Sequence, residues 1–146
     1  MRVDGEWLLC EDGVIRPTVP AVFRAVGGTW IEIAFLLDGG ADRTVFSADL
    51  LSLLRRLETT GIEQSRLAGV GGDAGYIRVE TAIRFTKDDD QRVTVHGPFA
   101  VFTQIESADL SILGRDVTNN FSVIYDYPNG VAALLAPPHS YEIKTK

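Results

Sequence analysis

The sequence contains very few of the residues that build metal sites and disulfides. Its 146 residues include one cysteine, Cys10, and two histidines, His96 and His139. A single cysteine excludes an intrachain disulfide framework and a cysteine-rich zinc site. The two histidines stand far apart and in no ligand spacing, so we expect no metal site and no cofactor.

Positive charge and long apolar runs are also scarce. The 20 acidic residues outnumber the 14 basic ones, for a formal net charge of −6. This balance argues against a nucleic-acid partner, because such a protein needs a basic face. No apolar run approaches the roughly 18 residues of a membrane span, so we expect no membrane partner. Residues 1–13 are too acidic for a signal peptide, and the expected location is cytoplasmic.

The chain does contain enough apolar residues for a folded core. Apolar residues make up 45% and charged residues 23% of a length that suits one domain. We predict an N-terminal arm over residues 1–15, a single domain over residues 16–136 and a C-terminal tail over residues 137–146.

Most of the apolar residues recur with a period of two, which is typical of β-strands. In residues 30–37 the alternation predicts a strand with one well-buried face, formed by Ile31, Ile33, Phe35 and Leu37. Gly27 and Gly28 separate this strand from a β-rich run at 18–26, which predicts a hairpin. Further strands are predicted at residues 78–85, 92–103 with a break at Gly97-Pro98, 109–113, 121–125 and 131–135.

Only one segment has a clear helical period. Leucines recur at helical spacing in residues 47–58, which predicts a helix of about three turns with Ser47 as its N-cap. One more helical turn is predicted at 116–120. Many short strands with one or two short helices predict an all-β fold, either a barrel or a sandwich.

Three segments are candidates for a functional site. Residues 38–42, D-G-G-A-D, follow the most apolar strand, so a carboxylate there emerges from the core; the alternative is a tight turn. Residues 67–75 are rich in glycine but lack the Lys-Ser/Thr of a phosphate-binding loop and precede a strand, which predicts a hairpin that can act as a lid. Residues 111–116, S-I-L-G-R-D, either support a site or simply end a strand.

In this order and spacing, the three segments resemble the retropepsin-like aspartic proteases over residues 16–135. The strand ending in D-G-G-A-D is similar to the family's apolar-apolar-Asp-Thr/Ser-Gly-Ala segment, and L-A-G-V-G-G is similar to its flap. The segment S-I-L-G-R-D is similar to the apolar-apolar-Gly motif that closes the family's fold. The resemblance implies a closed β-barrel, or acid-protease half-fold, that functions as a homodimer.

The resemblance also implies a role for particular residues. Asp38 matches the catalytic aspartate, and Asp42 matches the acid that pairs with the arginine at position 115. The implied active-site loop is Gly39, Gly40, Ala41 and Asp42; the flap and substrate-binding residues are Gly69, Val70, Gly71 and Gly72; and the supporting residues are Ile112, Leu113, Gly114 and Arg115.

An aspartic protease needs two carboxylates about one hydrogen bond apart, which share a proton because like charges that close cannot both ionise. This chain has one suitable aspartate. Asp73-Ala74-Gly75 also has the form D-x-G, but no apolar strand precedes it, and we predict that it forms the flap tip. The second carboxylate then comes from Asp38 of a second copy in a C₂ homodimer. The substrate implied is an extended peptide or protein segment under the flaps.

One departure from the family pattern concerns the residue after Asp38. Gly39 stands where the family has Thr or Ser, whose hydroxyl hydrogen-bonds across the dimer, so we expect a weaker dimer or an impaired site. The leading hypothesis is an aspartic endopeptidase of retropepsin type. The alternatives are a catalytically impaired or inactive dimer that binds peptides or proteins, and a structural β-domain without such a site.

Overall fold

The computed structural model describes residues 1–59, 65–69, 72–104, 110–140, 142 and 144. The prediction of a mostly β chain with short helices is confirmed. The strands are β1 (Arg2–Asp4), β2 (Glu6–Leu9), β3 (Ile15–Arg24), β4 (Trp30–Leu37), β5 (Val45–Phe46), β6 (Ser65–Gly69), β7 (Gly72–Thr86), β8 (Arg92–Phe102), β9 (Ser111–Leu113), β10 (Ser122–Asp126) and β11 (Val131–Leu135). The α-helices are α1 (Leu51–Leu54) and α2 (Arg115–Thr118).

The strands form two sheets. A three-stranded sheet has the order β1-β11-β10, and an eight-stranded sheet has the order β2-β3-β4-β9-β5-β8-β7-β6. Strand β3 makes a further pairing with β7, through Val22 with Arg84 and Phe23 with Ile83. This additional pairing joins two strands that are far apart in the order of the large sheet.

Strand β4 has the alternating burial that its sequence predicts. Phe35 and Leu37 are buried, whereas Glu32 and Ala34 are exposed. On the buried side, the ring of Phe46 packs against Phe23, Phe35 and Phe99 at centroid distances of 5.2, 5.6 and 6.1 Å. Tilted and edge-on aromatic contacts of this kind add to the apolar burial that holds the core together.

The predicted hairpin between β3 and β4 is present. The two strands pair antiparallel from Thr18–Leu36 to Arg24–Trp30, and a 3₁₀ turn at Val26–Gly28 joins them. Gly27 and Gly28 have φ values of +85° and +87°. Glycine reaches this left-handed region without a Cβ clash, which explains why two glycines stand at the turn.

The predicted three-turn helix over residues 47–58 is wrong. The segment forms a 3₁₀ turn at Ala48–Leu50, the single-turn helix α1 and a second 3₁₀ turn at Arg55–Leu57. Ser47 does not cap a helix; its hydroxyl donates to Asp49, and its N–H donates to Ser111 Oγ at 2.9 Å. Ser47 is therefore hydrogen-bonded to Ser111 of β9 and does not form the N-cap that the leucine spacing predicts. The sequence also predicts that Gly61 terminates this helix, but Gly61 lies outside the described residues.

The predicted break of a strand at Gly97-Pro98 is also wrong. Strand β8 pairs with β7 without interruption, including Gly97 with Thr81 and Pro98 with Glu80. Proline removes only its own N–H donor. The long run of pairs on both sides therefore keeps the strand continuous.

The N-terminal segment is built into both sheets. Strand β1 pairs with β11, β2 pairs with β3, and Val3 is buried in the core. Between them, the Gly5 N–H donates to Ala132 O at 2.7 Å, and a Cβ at Gly5 would stand 2.3 Å from Thr18 O. The domain boundaries at 15/16 and 136/137 stay predictions.

The turn between β7 and β8 binds the start of the chain. Asp88 Oδ1 accepts the N–H of Arg2 at 2.8 Å and contacts the N-terminal ammonium, and the Asp88 N–H donates to Arg2 O at 2.7 Å. The hydrogen bond from Arg2 and that from the ammonium group lower the pKa of Asp88 from 3.8 to about 2. The ionised carboxylate therefore stabilises the docked β1.

We predict that Asp88→Asn lowers the melting temperature slightly at pH 6 and less at pH 2. A depressed pKa in the folded state contributes stability that is fully present well above pH 4, the unfolded value, and is lost as pH falls through about 2, the folded value. The effect is small because the group is exposed. Thermal unfolding at both pH values measures it.

The matched control for this prediction is Asp90→Asn in the same turn. Asp90 has a φ of +63°, a conformation that Asn adopts as readily as Asp, so we expect no change at either pH. Equal losses in the two variants would contradict the assignment to Asp88.

Candidate active site

Asp38 stands where two parallel strands end together. Strand β4 pairs parallel with β9, in register from Phe35–Ser111 to Leu37–Leu113, and Asp38 is the next residue after β4. The Asp38 N–H continues the ladder by donating to Leu113 O at 3.3 Å. The carboxylate therefore emerges at the edge of the core, as the position after an apolar strand predicts.

Backbone groups of its own loop orient the Asp38 side chain. The Gly40 N–H donates to Asp38 Oδ1 at 3.0 Å, and the Ala41 N–H donates to Asp38 O at 3.1 Å. Together these bonds close a tight turn in which the carboxylate accepts a backbone N–H. The turn expected as an alternative to a site is thus present, and it fixes the direction of the carboxylate.

The two glycines of the loop differ in what they permit. A Cβ at Gly40 would stand 3.4 Å from Asp38 Oδ1, at the tight limit of ordinary contact with the carboxylate. A Cβ at Gly39 would stand 3.7 Å from the hydroxyl of Tyr125, which is an ordinary contact. Neither glycine has a positive φ. Position 39 therefore has both the backbone and the space for a side chain.

Arg115 connects the loop to the segment after β9. Its guanidinium forms an ion pair with Asp42, and its Nη1 donates to Gly39 O at 2.9 Å. Its backbone N–H donates to Ala41 O at 2.9 Å. The pair is exposed and contributes little by charge alone. The planar guanidinium instead contributes by binding Gly39 O and the Asp42 carboxylate at the same time.

Gly114 packs directly against the backbone of the loop. A Cβ at this position would stand 2.3 Å from the carbonyl carbon of Arg43, a distance that only glycine avoids. The Gly114 N–H donates to Thr44 Oγ1 at 3.0 Å, and that hydroxyl donates to Asp116 Oδ1 at 2.7 Å. Asp116 Oδ1 also accepts the Thr44 N–H at 2.9 Å. Thr44 is fully buried, so this network anchors the loop from inside.

We predict that Gly114→Ala lowers the free energy of unfolding by about 3 kcal/mol or more, since the added methyl meets backbone that cannot rotate away. Urea unfolding monitored by tryptophan fluorescence measures the loss. Gly97→Ala is the matched control, because its Cβ would meet only the Phe99 ring, at 3.6 Å. We expect it to remain within about 1 kcal/mol of wild type. Equal losses would contradict the close approach of Gly114 to Arg43.

Tyr125 is a neighbour of the site that sequence reasoning missed. Burial and the nearby Asp38 charge raise its pKa, and the backbone of Gly39 partly opposes them. The ring of Trp7 lies 6.4 Å from that of Tyr125, and its Nε1–H donates to Val131 O at 2.9 Å. No local motif marks Tyr125, because only the pairing of β10 with β11 brings it to the loop.

The glycine-rich segment forms an antiparallel hairpin of β6 and β7. Gly69 pairs with Gly72, and the predicted flap residues Val70 and Gly71 lie outside the described residues. The prediction that Asp73-Ala74-Gly75 forms the tip is wrong, because Asp73 pairs with Ala68 within the hairpin. Strand β7 begins at Gly72, before Asp73, so these three residues belong to β7.

The structure joins most of the predicted site residues and leaves the hairpin apart. Hydrogen bonds and strand pairs connect the loop with β9 and the residues after it, through Asp38, Gly39, Gly40, Ala41, Asp42, Ile112, Leu113, Gly114 and Arg115. Within the described ranges, no hydrogen bond links Gly69 or Gly72 to that group. The described part of the chain also contains no cluster of three or more metal-ligating side chains and no helix of the length and apolarity that a membrane crossing requires.

Comparison with known proteins gives evidence at the level of structure. No protein-family model matches the sequence, and no curated protein matches it. A retropepsin-like aspartic protease from Rickettsia conorii has a similar structure. The two sequences are 16% identical over 92% of this chain and 88% of the other, with a TM-score of 0.54. The two chains share a fold. At this identity the likeness extends to the fold alone.

Proposed function

We propose that the protein is an aspartic endopeptidase of retropepsin type, active as a homodimer. The observation that carries the proposal is the position of Asp38 at the joint end of β4 and β9, in a fold shared with a retropepsin-like protease. In this proposal the pairing of β3 with β7 closes the large sheet into the small barrel of that fold.

Two acids close to the site, one four residues after Asp38 and one in α2 after β9, are already engaged. Asp42 pairs with Arg115, and Asp116 Oδ1 accepts two hydrogen bonds from Thr44. Carboxylates engaged in these bonds are not free to share a proton with Asp38. The second catalytic carboxylate is therefore Asp38 of a second copy, across a two-fold axis.

The proposed reaction is hydrolysis of a peptide bond without a covalent intermediate. The two Asp38 carboxylates share one proton, since both cannot ionise at hydrogen-bond distance. The ionised member takes a proton from a water molecule, which attacks the peptide carbonyl, and the protonated member stabilises the developing oxyanion. The proton taken from the water then passes to the amide nitrogen as the bond between carbon and nitrogen breaks, which releases the amine and the carboxylic acid. The β6–β7 hairpin covers an extended peptide, whose backbone binds as an added strand.

We predict that Asp38→Asn lowers the rate of cleavage of an unfolded protein substrate between pH 4 and 7 by at least about 100-fold, because it removes the general base. The readout is the appearance of fragments by mass spectrometry. Asp90→Asn is the matched control and keeps wild-type activity. Cleavage that survives Asp38→Asn would contradict the assignment.

The same variant tests the shared site. An excess of Asp38→Asn chains is expected to lower the activity of a fixed amount of wild-type protein, because each mixed dimer holds one ionisable carboxylate at its centre. Unchanged activity in the mixture would contradict a site built from two copies. Loss of activity in Asp73→Asn without loss of folding would point to a second carboxylate within the chain.

A second candidate function is a dimeric module that binds peptides or proteins without cleaving them. The observation that favours it is Gly39, which has no hydroxyl to bind across the dimer. One such bond is worth about 1 kcal/mol and is lost twice in a symmetric pair. A dimer weakened in this way retains its cleft for a peptide, but it aligns the two Asp38 carboxylates less accurately for catalysis.

We predict that Gly39→Thr tightens the dimer by about 2 kcal/mol, or about thirtyfold in the dissociation constant, because both copies gain a hydroxyl. Sedimentation velocity measures the dimer, and the fragment assay measures cleavage. Gly39→Val is the matched control, with the same shape and no hydroxyl. Equal behaviour of the two variants would contradict the role of the hydroxyl. Cleavage by Gly39→Thr alone would favour the binding module for the natural sequence.

A further inference from the structure

The small sheet contributes one side chain to the Asp38 loop. Tyr125 lies on β10, in the three-stranded sheet, whereas Asp38 follows β4 of the eight-stranded sheet. The Tyr125 hydroxyl nevertheless lies 3.7 Å from the point where a side chain at position 39 would begin. The phenol oxygen thus lies beside position 39, where the loop departs from the family pattern.

The surroundings of Tyr125 hold its ring in this place. In the register of β10 and β11, Tyr125 pairs with Ala132 and Asp126 pairs with Val131. Trp7 of β2 lies against the Tyr125 ring at an interplanar angle of 59° and is itself fixed by its hydrogen bond to Val131 O. Tyr127 packs edge-on against the same indole, with ring centroids 5.0 Å apart. The phenol is therefore supported by both sheets.

Electrostatics point to the same contact. Burial, and after it the Asp38 charge, raise the pKa of the Tyr125 phenol, and the backbone of Gly39 acts in the opposite direction. With its pKa raised, the phenol is neutral throughout the acidic and neutral range in which two carboxylates share a proton. A neutral phenol this close to position 39 can accept an N–H of the loop backbone and keep its own O–H as a donor.

We propose that Tyr125 is a positioning residue that braces the Asp38-Gly39 backbone within its own protomer, through its hydroxyl, in place of the hydroxyl that position 39 lacks. This inference rests on the proposed function for its catalytic consequence. The brace differs from the family's hydroxyl in one respect: it acts inside each chain, so it orients Asp38 before two chains meet.

The first experiment compares Tyr125→Phe with Tyr127→Phe in the cleavage assay. Loss of one hydrogen bond from the loop is expected to lower kcat about fivefold and leave KM unchanged, whereas Tyr127→Phe keeps both constants. Adding Gly39→Ser to Tyr125→Phe is expected to restore most of kcat, because the serine hydroxyl reaches the space that the phenol oxygen vacates. Gly39→Ala in the same background restores nothing. Equal kcat in Tyr125→Phe and Tyr127→Phe would overturn the proposal.

The second experiment does not depend on activity. Amide hydrogen exchange by NMR is expected to be about fivefold faster at Gly39 in Tyr125→Phe than in the wild type and unchanged in Tyr127→Phe. The phenol pKa of Tyr125, followed with ¹³C-labelled tyrosine, is expected to fall in Asp38→Asn. Unchanged exchange at Gly39 would overturn the brace even in an active enzyme. Faster exchange at Gly39 in a protein that cleaves no substrate would contradict the proposed protease function and support the positioning role of Tyr125.

Discussion

The parallel pairing of β4 with β9 determines where every group of the candidate site stands. It places Leu113 O under the N–H of Asp38 and brings Gly114 against the backbone of Arg43. Because the two strands run in the same direction, the segments that follow them leave the sheet at the same edge. The Asp38 loop and the segment that begins with Arg115 must then interlock, which they do through backbone and guanidinium hydrogen bonds.

This interlocking relies on backbone contacts more than on charge. The ion pair of Asp42 with Arg115 is exposed and screened, whereas the hydroxyl of Thr44 is buried and binds both Gly114 N–H and Asp116. A buried network of this kind is costly to leave incomplete, so each member supports the others. The loop is therefore held rigid on its inner side and open on the side of Asp38.

The parts of the fold that the sequence predicts well are those with local causes. The alternation in β4, the Gly27-Gly28 turn and the position of Asp38 after an apolar strand follow from neighbouring residues. The errors have distant causes: Ser47 bonds to Ser111 of β9 instead of capping a helix, and the pairing with β7 carries β8 through Pro98. Tyr125 belongs to this second group, because nothing near it in sequence indicates that β10 delivers it to Gly39.

The pairing of β1 with β11 has a consequence for the order of assembly. The first strand of the chain has its partner near the other end, so β1 cannot dock until residues 131–135 have been synthesised. The β3–β4 hairpin forms from contacts close in sequence and does not have to wait. The small sheet that carries Tyr125 is therefore completed last. In a nascent chain, Asp38 already follows β4 before Tyr125 of β10 can reach it.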